Sequence, residues 1–182
     1  GTKCKIPYYI NVEKRGADSY LVSDDGVDYA IQKGGSRFFE QIYFPLADRD
    51  FENEDFCDLE ENLGKTLWTG IGTPGSHLSL DDAGLAEMRD GARVFRESTD
   101  RAIIGLFGGN LFEMGHFLFG MENYLTYLGL YPEACERFSQ KLLSIHLKNL
   151  EKWLGAVGDS IDIILFGDDL GCKTGPLISP AM

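Results

Sequence analysis

Asp168 and Asp169 stand directly after an apolar run at residues 161–166, where the chain has just left a predicted buried strand. A carboxylate at the end of such a strand is placed to act as a general base, to bind a cation, or to hold an amine or pyrrole N–H. Side chains alternate along an extended chain, so adjacency alone does not make the two a symmetric dyad. The same residues also suit a plain turn, with carboxylates capping it and Gly171 supplying a positive φ. Both readings stand at this point, with Asp168 and Asp169 the candidate catalytic pair.

Gly108-Gly109-Asn110 follows a second apolar run, residues 101–108. Two glycines after a strand let backbone approach a ligand closely, and Asn110 can offer an amide or cap the next helix. Glu113 and His116 come next, three residues apart on one helical face. Such a pair can share a metal in carboxylate di-iron bundles, but nothing else in the chain repeats the motif, so no metal is assigned. The candidate substrate-binding set is therefore Gly108, Gly109, Asn110, Glu113, His116 and Gly171. His146 reads as structural or exposed, and His77 lies in a loop without a visible partner. Cys172 has no neighbouring Cys or His to complete a zinc site. P-loop, GxGxxG, GxSxG and HExxH motifs are absent.

Elements must hold these groups. Residues 6–12, 19–22 and 27–31 are rich in β-formers and separated by Arg15-Gly16 and Asp25-Gly26, which predicts a small β-meander ending at Gly34-Gly35. The apolar cluster Phe38, Phe39, Ile42, Tyr43 and Phe44 must pack on something. Residues 45–78 read as irregular and acidic. A helix is expected over about 80–98, capped by Ser79, with Leu85, Met88, Ala92 and Phe95 as its buried stripe. Short helices at 110–119 and 121–129 precede a long one from Pro132 to about 157, whose stripe runs Cys135, Phe138, Leu142, Ile145, Asn149, Trp153, Val157. The runs at 101–108 and 161–166 read as strands buried on both faces. Strand, helices and strand make a parallel crossover, whose ligands sit beyond the carboxyl ends of the strands.

The 182 residues allow one domain with a sizeable core. A net charge of −12, with acids gathered at 48–61, repels nucleic acid and anionic membranes and otherwise reads as a solvated face. No apolar run reaches the roughly 20 residues of a membrane span. The first residues lack an apolar leader core, and Gly1 reads as an internal boundary of a longer chain. Cys4, Cys57, Cys135 and Cys172 lack regular spacing and are expected as free thiols in a reducing cytoplasm.

At the same two sites the chain resembles the uroporphyrinogen decarboxylase superfamily. Residues 103–112, Ile-Ile-Gly-Leu-Phe-Gly-Gly-Asn-Leu-Phe, are similar to that family's GFAGAPWTL strand and loop. Residues 166–171 with 175–180 are similar to its FDSWAG and SP strand end, and the helix between has the expected length. The likeness covers about 80–182, and 6–44 more loosely. It implies an α/β chain that is a partial (β/α)8 TIM-barrel segment (47–182) preceded by a β-meander insertion (1–46). Where the decarboxylases carry a tyrosine and a serine, this chain has His116 and Asp168, changes that suit a polycarboxylate porphyrinogen poorly.

The resemblance thus implies that the chain is a fragment of a methyltransferase-like enzyme acting on a methylated small molecule or a corrinoid protein. Any zinc and corrinoid belong to the full-length parent, whose zinc-binding His-x-Cys pair lies on a later strand, and the cofactor is left open for this chain. Uroporphyrinogen III decarboxylation, which needs no cofactor, is the alternative. A third expectation is that the chain is inactive alone and self-associates through open barrel edges. Partners are a small molecule or tetrapyrrole, with no nucleic acid and no membrane.

Overall fold

Three glycines with positive φ shape the first sheet. Gly16 (φ 66°) and Gly26 (φ 85°) close its turns, and Gly35 (φ 86°) follows its third strand. A computed structural model describes residues 11–67 and 80–179. The strands are β1 (Asn11–Arg15), β2 (Asp18–Val22), β3 (Asp28–Gln32) and β4 (Glu40–Gln41), antiparallel in the order β1-β2-β3-β4. The predicted meander is there, one short strand larger; its first strand reaches Arg15, and residues 6–10 lie outside the described set. Leu21, Tyr29, Ala30 and Leu67 form its small core, with Phe39 and Tyr43 packed on the edge. Of the apolar cluster, Phe38 and Ile42 remain exposed, although the Ile42 N–H still bonds to the Tyr29 carbonyl of β3 at 2.9 Å.

The stretch expected to be irregular contains a helix, α1 (Leu59–Leu63), and supplies four main-core residues, Leu46, Phe51, Phe56 and Leu59. Helix α2 (Asp82–Glu97) starts on Asp81, whose carboxylate accepts from the Gly84 N–H at 2.8 Å. Ser79, the expected cap, is outside the described residues. The α2 stripe is only half-buried at Leu85, Met88 and Ala92, and Phe95 faces outward.

After α2 come β5 (Ile104–Gly108), α3 (Glu113–Phe119), α4 (Met121–Leu130), α5 (Pro132–Val157), a 3-10 turn (Gly158–Ser160) and β6 (Ile163–Phe166). Pro132 sits in the first turn of α5, where its missing N–H has no helical partner to lose. Cys135, Phe138, Leu142, Ile145 and Val157 bury the predicted stripe. Strands β5 and β6 pair in parallel, Ile104 with Ile163 and Leu106 with Leu165, as the sequence predicts. Gly105 explains how α5 lies so close: a Cβ there would stand 2.6 Å from the Trp153 ring.

One expectation fails here. The pair is covered by helices on the Gly105 side only; Ile104, Leu106, Ile163 and Leu165 on the other side are exposed. Continuous apolar runs signal two covered faces only when a second layer exists, and none of the described residues forms one. A two-strand hairpin, β7 (Gly171–Cys172) with β8 (Gly175–Pro176), ends the described chain and lays Leu177 and Ile178 on the main core. The architecture is mixed α/β, with a parallel pair between two small antiparallel units.

Candidate functional site

Two aspartates of the β6 strand region fasten it to β5. At the start, Asp162 accepts from the Ile103 N–H at 2.8 Å and also from Arg96 of α2. These bonds, that of the Ile103 N–H first and that of Arg96 second, hold its carboxyl below the usual range. At the far end Asp168 reaches across to the backbone opening α3. Its Oδ2 accepts from Leu111 N–H (2.9 Å) and Phe112 N–H (2.8 Å), and its Oδ1 from Glu113 N–H (2.7 Å). The Asp169 N–H turns back on the same Oδ1 at 3.1 Å. Phe112, the residue at the start of α3, makes no side-chain cap of its own, so a strand end from across the sheet caps the helix.

The glycines make this approach possible. Gly108 (φ 84°) and Gly109 (φ 69°) turn the chain out of β5, and a Cβ on Gly109 would press the Phe107 ring at 3.1 Å. Asn110 does not cap α3, as the sequence allowed. Its Nδ2 donates to the Glu113 carboxylate, and its backbone carbonyl meets His146 Nε2 at 3.1 Å. His146, which the sequence reads as structural or exposed, thus joins the site. It is half-buried on α5 beside the Phe107 ring, and its place on the flank of the Cys135–Ile145 stripe was the signal available.

Glu113 and His116 share a helix face but not an environment. Burial pushes the Glu113 carboxyl up; the Asn110 bond opposes this, while Asp168 and Asp169 add to it. His116 is buried at 7% exposure among Phe112 and Tyr124, its Nε2 without a hydrogen-bond partner. Burial lowers its pKa against the pull of Asp168 and Asp169. Asp169 is exposed. Gly171 is exposed too, but its φ is not in the left-handed region, so the expected turn is not the one formed. Instead Asp169 Oδ1 takes a long 3.4 Å contact from the Gly171 N–H. His77 lies outside the described residues.

Among the described residues, no group of three or more His, Cys, Asp or Glu side chains is placed to hold a metal ion. Cys57, Cys135 and Cys172 are free thiols. No helix of the described residues is long and apolar enough to cross a membrane. A shallow cleft of about 250 Å³ between Glu52, Tyr131 and Arg137 contains none of the residues at the strand ends.

No family model, curated protein or solved structure matches the chain.

Two outcomes follow from this geometry. Replacing Asp168 with Ala strips the acceptor from three helix-opening N–H groups and unties β6 from the β5–α3 loop; about 2 kcal/mol of stability should be lost, solvent access limiting the effect. Urea unfolding would register this, and a midpoint equal to wild type would refute the tie. The second concerns pH. His116 and His146 both have lowered pKa values, burial being the first cause in each. Below about pH 6.5 the unfolded chain binds protons that the folded chain resists, so stability falls with pH, by at most about 1.4 kcal/mol per unit for each histidine. Glu113 acts oppositely: its raised value contributes stability below about 4.5 that fades as pH rises through the folded value. Urea midpoints should therefore decline between about pH 7 and 5.5, and His116→Leu should flatten the slope. A flat wild-type profile would show that burial is not holding the histidines neutral.

Proposed function

We propose that this chain is a segment of a (β/α)8-barrel enzyme of the uroporphyrinogen decarboxylase superfamily, of the methyltransferase-like kind. The observation that carries the reading is the parallel β5/β6 pair: it brings residues 108–113 and 168–171, the two stretches that resemble the family's motifs, into direct contact at the carboxyl ends of the strands. The one-sided cover supports it as well, since barrel strands carry helices outside and an apolar filling within.

In this reading Asp168 is a positioning residue. Its oxygens hold the Leu111–Glu113 backbone and set where Glu113 stands. Glu113 is the group that meets substrate. Half-buried and crowded by two aspartates, it keeps its proton more readily than an ordinary carboxyl, and Asn110 fixes its direction. Methyl transfer from a heteroatom to a nucleophilic acceptor breaks the heteroatom–methyl bond and leaves an electron pair on the heteroatom. Glu113 gives its proton to that pair, so the leaving group departs neutral. Asp169 offers a second carboxylate for a cationic or N–H-bearing substrate.

Zinc would activate a thiol acceptor in relatives of this kind, and a corrinoid would carry the methyl group. The described residues do not assemble a metal site, so no step here is assigned to the metal. The Asp168 and Asp169 carboxylates at this rim also weigh against the polyacid substrate of a uroporphyrinogen decarboxylase.

The test is methyl transfer from a methylated donor to a thiol by the barrel-complete protein, run beside an assay for coproporphyrinogen formation. Glu113→Gln should lower kcat by about 100-fold or more, with rate falling as pH rises through the Glu113 pKa in wild type. Full turnover by Glu113→Gln would remove the proton-donor role. Porphyrinogen decarboxylation without methyl transfer would overturn the methyltransferase reading.

A further inference from the structure

Asn110 makes two contacts that lead to different elements. Its side-chain Nδ2 donates to the Glu113 carboxylate on α3, and its backbone carbonyl meets His146 Nε2 of α5 at 3.1 Å. A carbonyl only accepts, so the proton of this second bond lies on Nε2. We propose that His146 is a positioning residue for Glu113, acting through Asn110: it pins the loop from the α5 side so that the Asn110 amide meets the Glu113 carboxylate. The inference rests on the reading of Glu113 as the group that meets substrate.

The loop needs this tie. Gly108 and Gly109 both stand at left-handed φ, and a glycine backbone is free to leave that region. The Gly108 carbonyl accepts from the Gly167 N–H at 3.0 Å, and Asp168 holds the N–H groups of Leu111, Phe112 and Glu113. Those anchors all follow β6. Gly109 and Asn110 lie between them, and His146 reaches Asn110 from a different element. Helix α5 is a firm support: it runs 26 residues, Leu142 one turn earlier is wholly buried, and so nearly is Ile145. The half-buried imidazole also meets the Phe107 ring edge-on, with centroids 6.4 Å apart, so the strand that opens the loop flanks it.

The chemical consequence falls on the Glu113 proton. Burial raises the Glu113 pKa first of all, and the Asn110 bond opposes it, because donation to a carboxylate favours the charged form. Asp168 and Asp169 are the other charges that bear on the group. By keeping the amide in place, His146 limits how tightly Glu113 holds its proton. The neutral Nε2–H tautomer and the imidazolium both donate from Nε2, so the tie persists in acid, where Glu113 titrates.

Carboxyl-carbon NMR of the 182-residue chain tests the link without turnover, whereas the enzyme reading stands or falls on Glu113→Gln turnover, so the two failures are distinct. Glu113 should titrate at higher pH in Asn110→Ala and in His146→Leu. In His146→Gln, whose amide nitrogen takes the place of Nε2, it should return to the wild-type value. Joining Asn110→Ala to His146→Leu should add no further shift, since one acts through the other. In the barrel-complete protein His146→Leu should lower kcat about tenfold with KM little changed. A wild-type Glu113 titration in His146→Leu would overturn the proposal, as would shifts that add in the double variant. Should His146→Leu not fold, the wild type decides the matter. Its imidazole nitrogen shifts at neutral pH should put the His146 proton on Nε2; a proton on Nδ1 leaves nothing to donate to Asn110 and overturns the proposal.

Discussion

Phe138→Ala should cost about 3–5 kcal/mol, the full range for removing a large ring from a closed core. Phe138 is wholly buried on α5 and lies 5.4 Å from the Phe56 ring, 5.4 Å from Phe119 and 5.7 Å from Tyr124, centre to centre. Those rings come from the segment after the meander, from α3 and from α4. One side chain thus joins three parts of the chain, which Phe51 also ties together through Phe119 at 5.0 Å and Tyr127 at 4.4 Å. At about 2–4 °C per kcal/mol for a chain of this length, melting should drop by roughly 10 °C or more. Phe138→Leu, which keeps most of the volume, should lose no more than about 1.5 kcal/mol. Chemical denaturation of the three proteins gives the comparison; an Ala variant within about 1 kcal/mol of wild type would mean that the rings do not form one core.

Gly115→Ala should be nearly as damaging, at about 3 kcal/mol, although alanine is the better helix former. A Cβ on Gly115 would sit 2.3–2.4 Å from the Tyr124 ring, which is itself buried and stacked near Phe119. The ring cannot swing away without opening the core, so α3 and α4 must part. The two changes should be coupled: Tyr124→Ala in the Gly115→Ala background should cost less than Tyr124→Ala alone, by about 1–2 kcal/mol. Strict additivity in that double-mutant cycle would show that the contact is not the reason for the glycine.

Sequence patterning made some of this legible. Period-3.6 spacing located α5 and its stripe, because a 26-residue helix averages over local exceptions. Glycines with special backbone angles located the meander turns. The parallel pair was readable from two short apolar runs about 50 residues apart. The core contribution of Leu46, Phe51 and Phe56 was not readable, since isolated apolar residues in an acidic stretch carry no period. Nor was the bare face of β5 and β6, because apolar composition does not say whether a second layer is present. At the strand ends, residue types named Asp168, Asn110 and Glu113. Their partners could not be named, because a carboxylate that meets backbone N–H groups 55 to 57 residues away leaves no local trace.

His116 shows the same limit in another form. Its spacing from Glu113 places both on one face, and yet one is packed among aromatic rings while the other lies at a polar rim. Helical periodicity fixes direction only. How deep each side chain sits depends on α4, whose packing no spacing rule supplies.

The shared rim at the strand ends needs β5 and β6 to run side by side in the same direction. Backbone proton contacts in solution by NMR test this most directly. The pairing observed here predicts cross-strand contacts between Gly105 and Ile164 and between Leu106 and Leu165, and a protected Gly167 amide bonded to Gly108. Contacts linking Ile104 to Phe166 and Gly108 to Ile163 would make the strands antiparallel, and the shared rim would not exist.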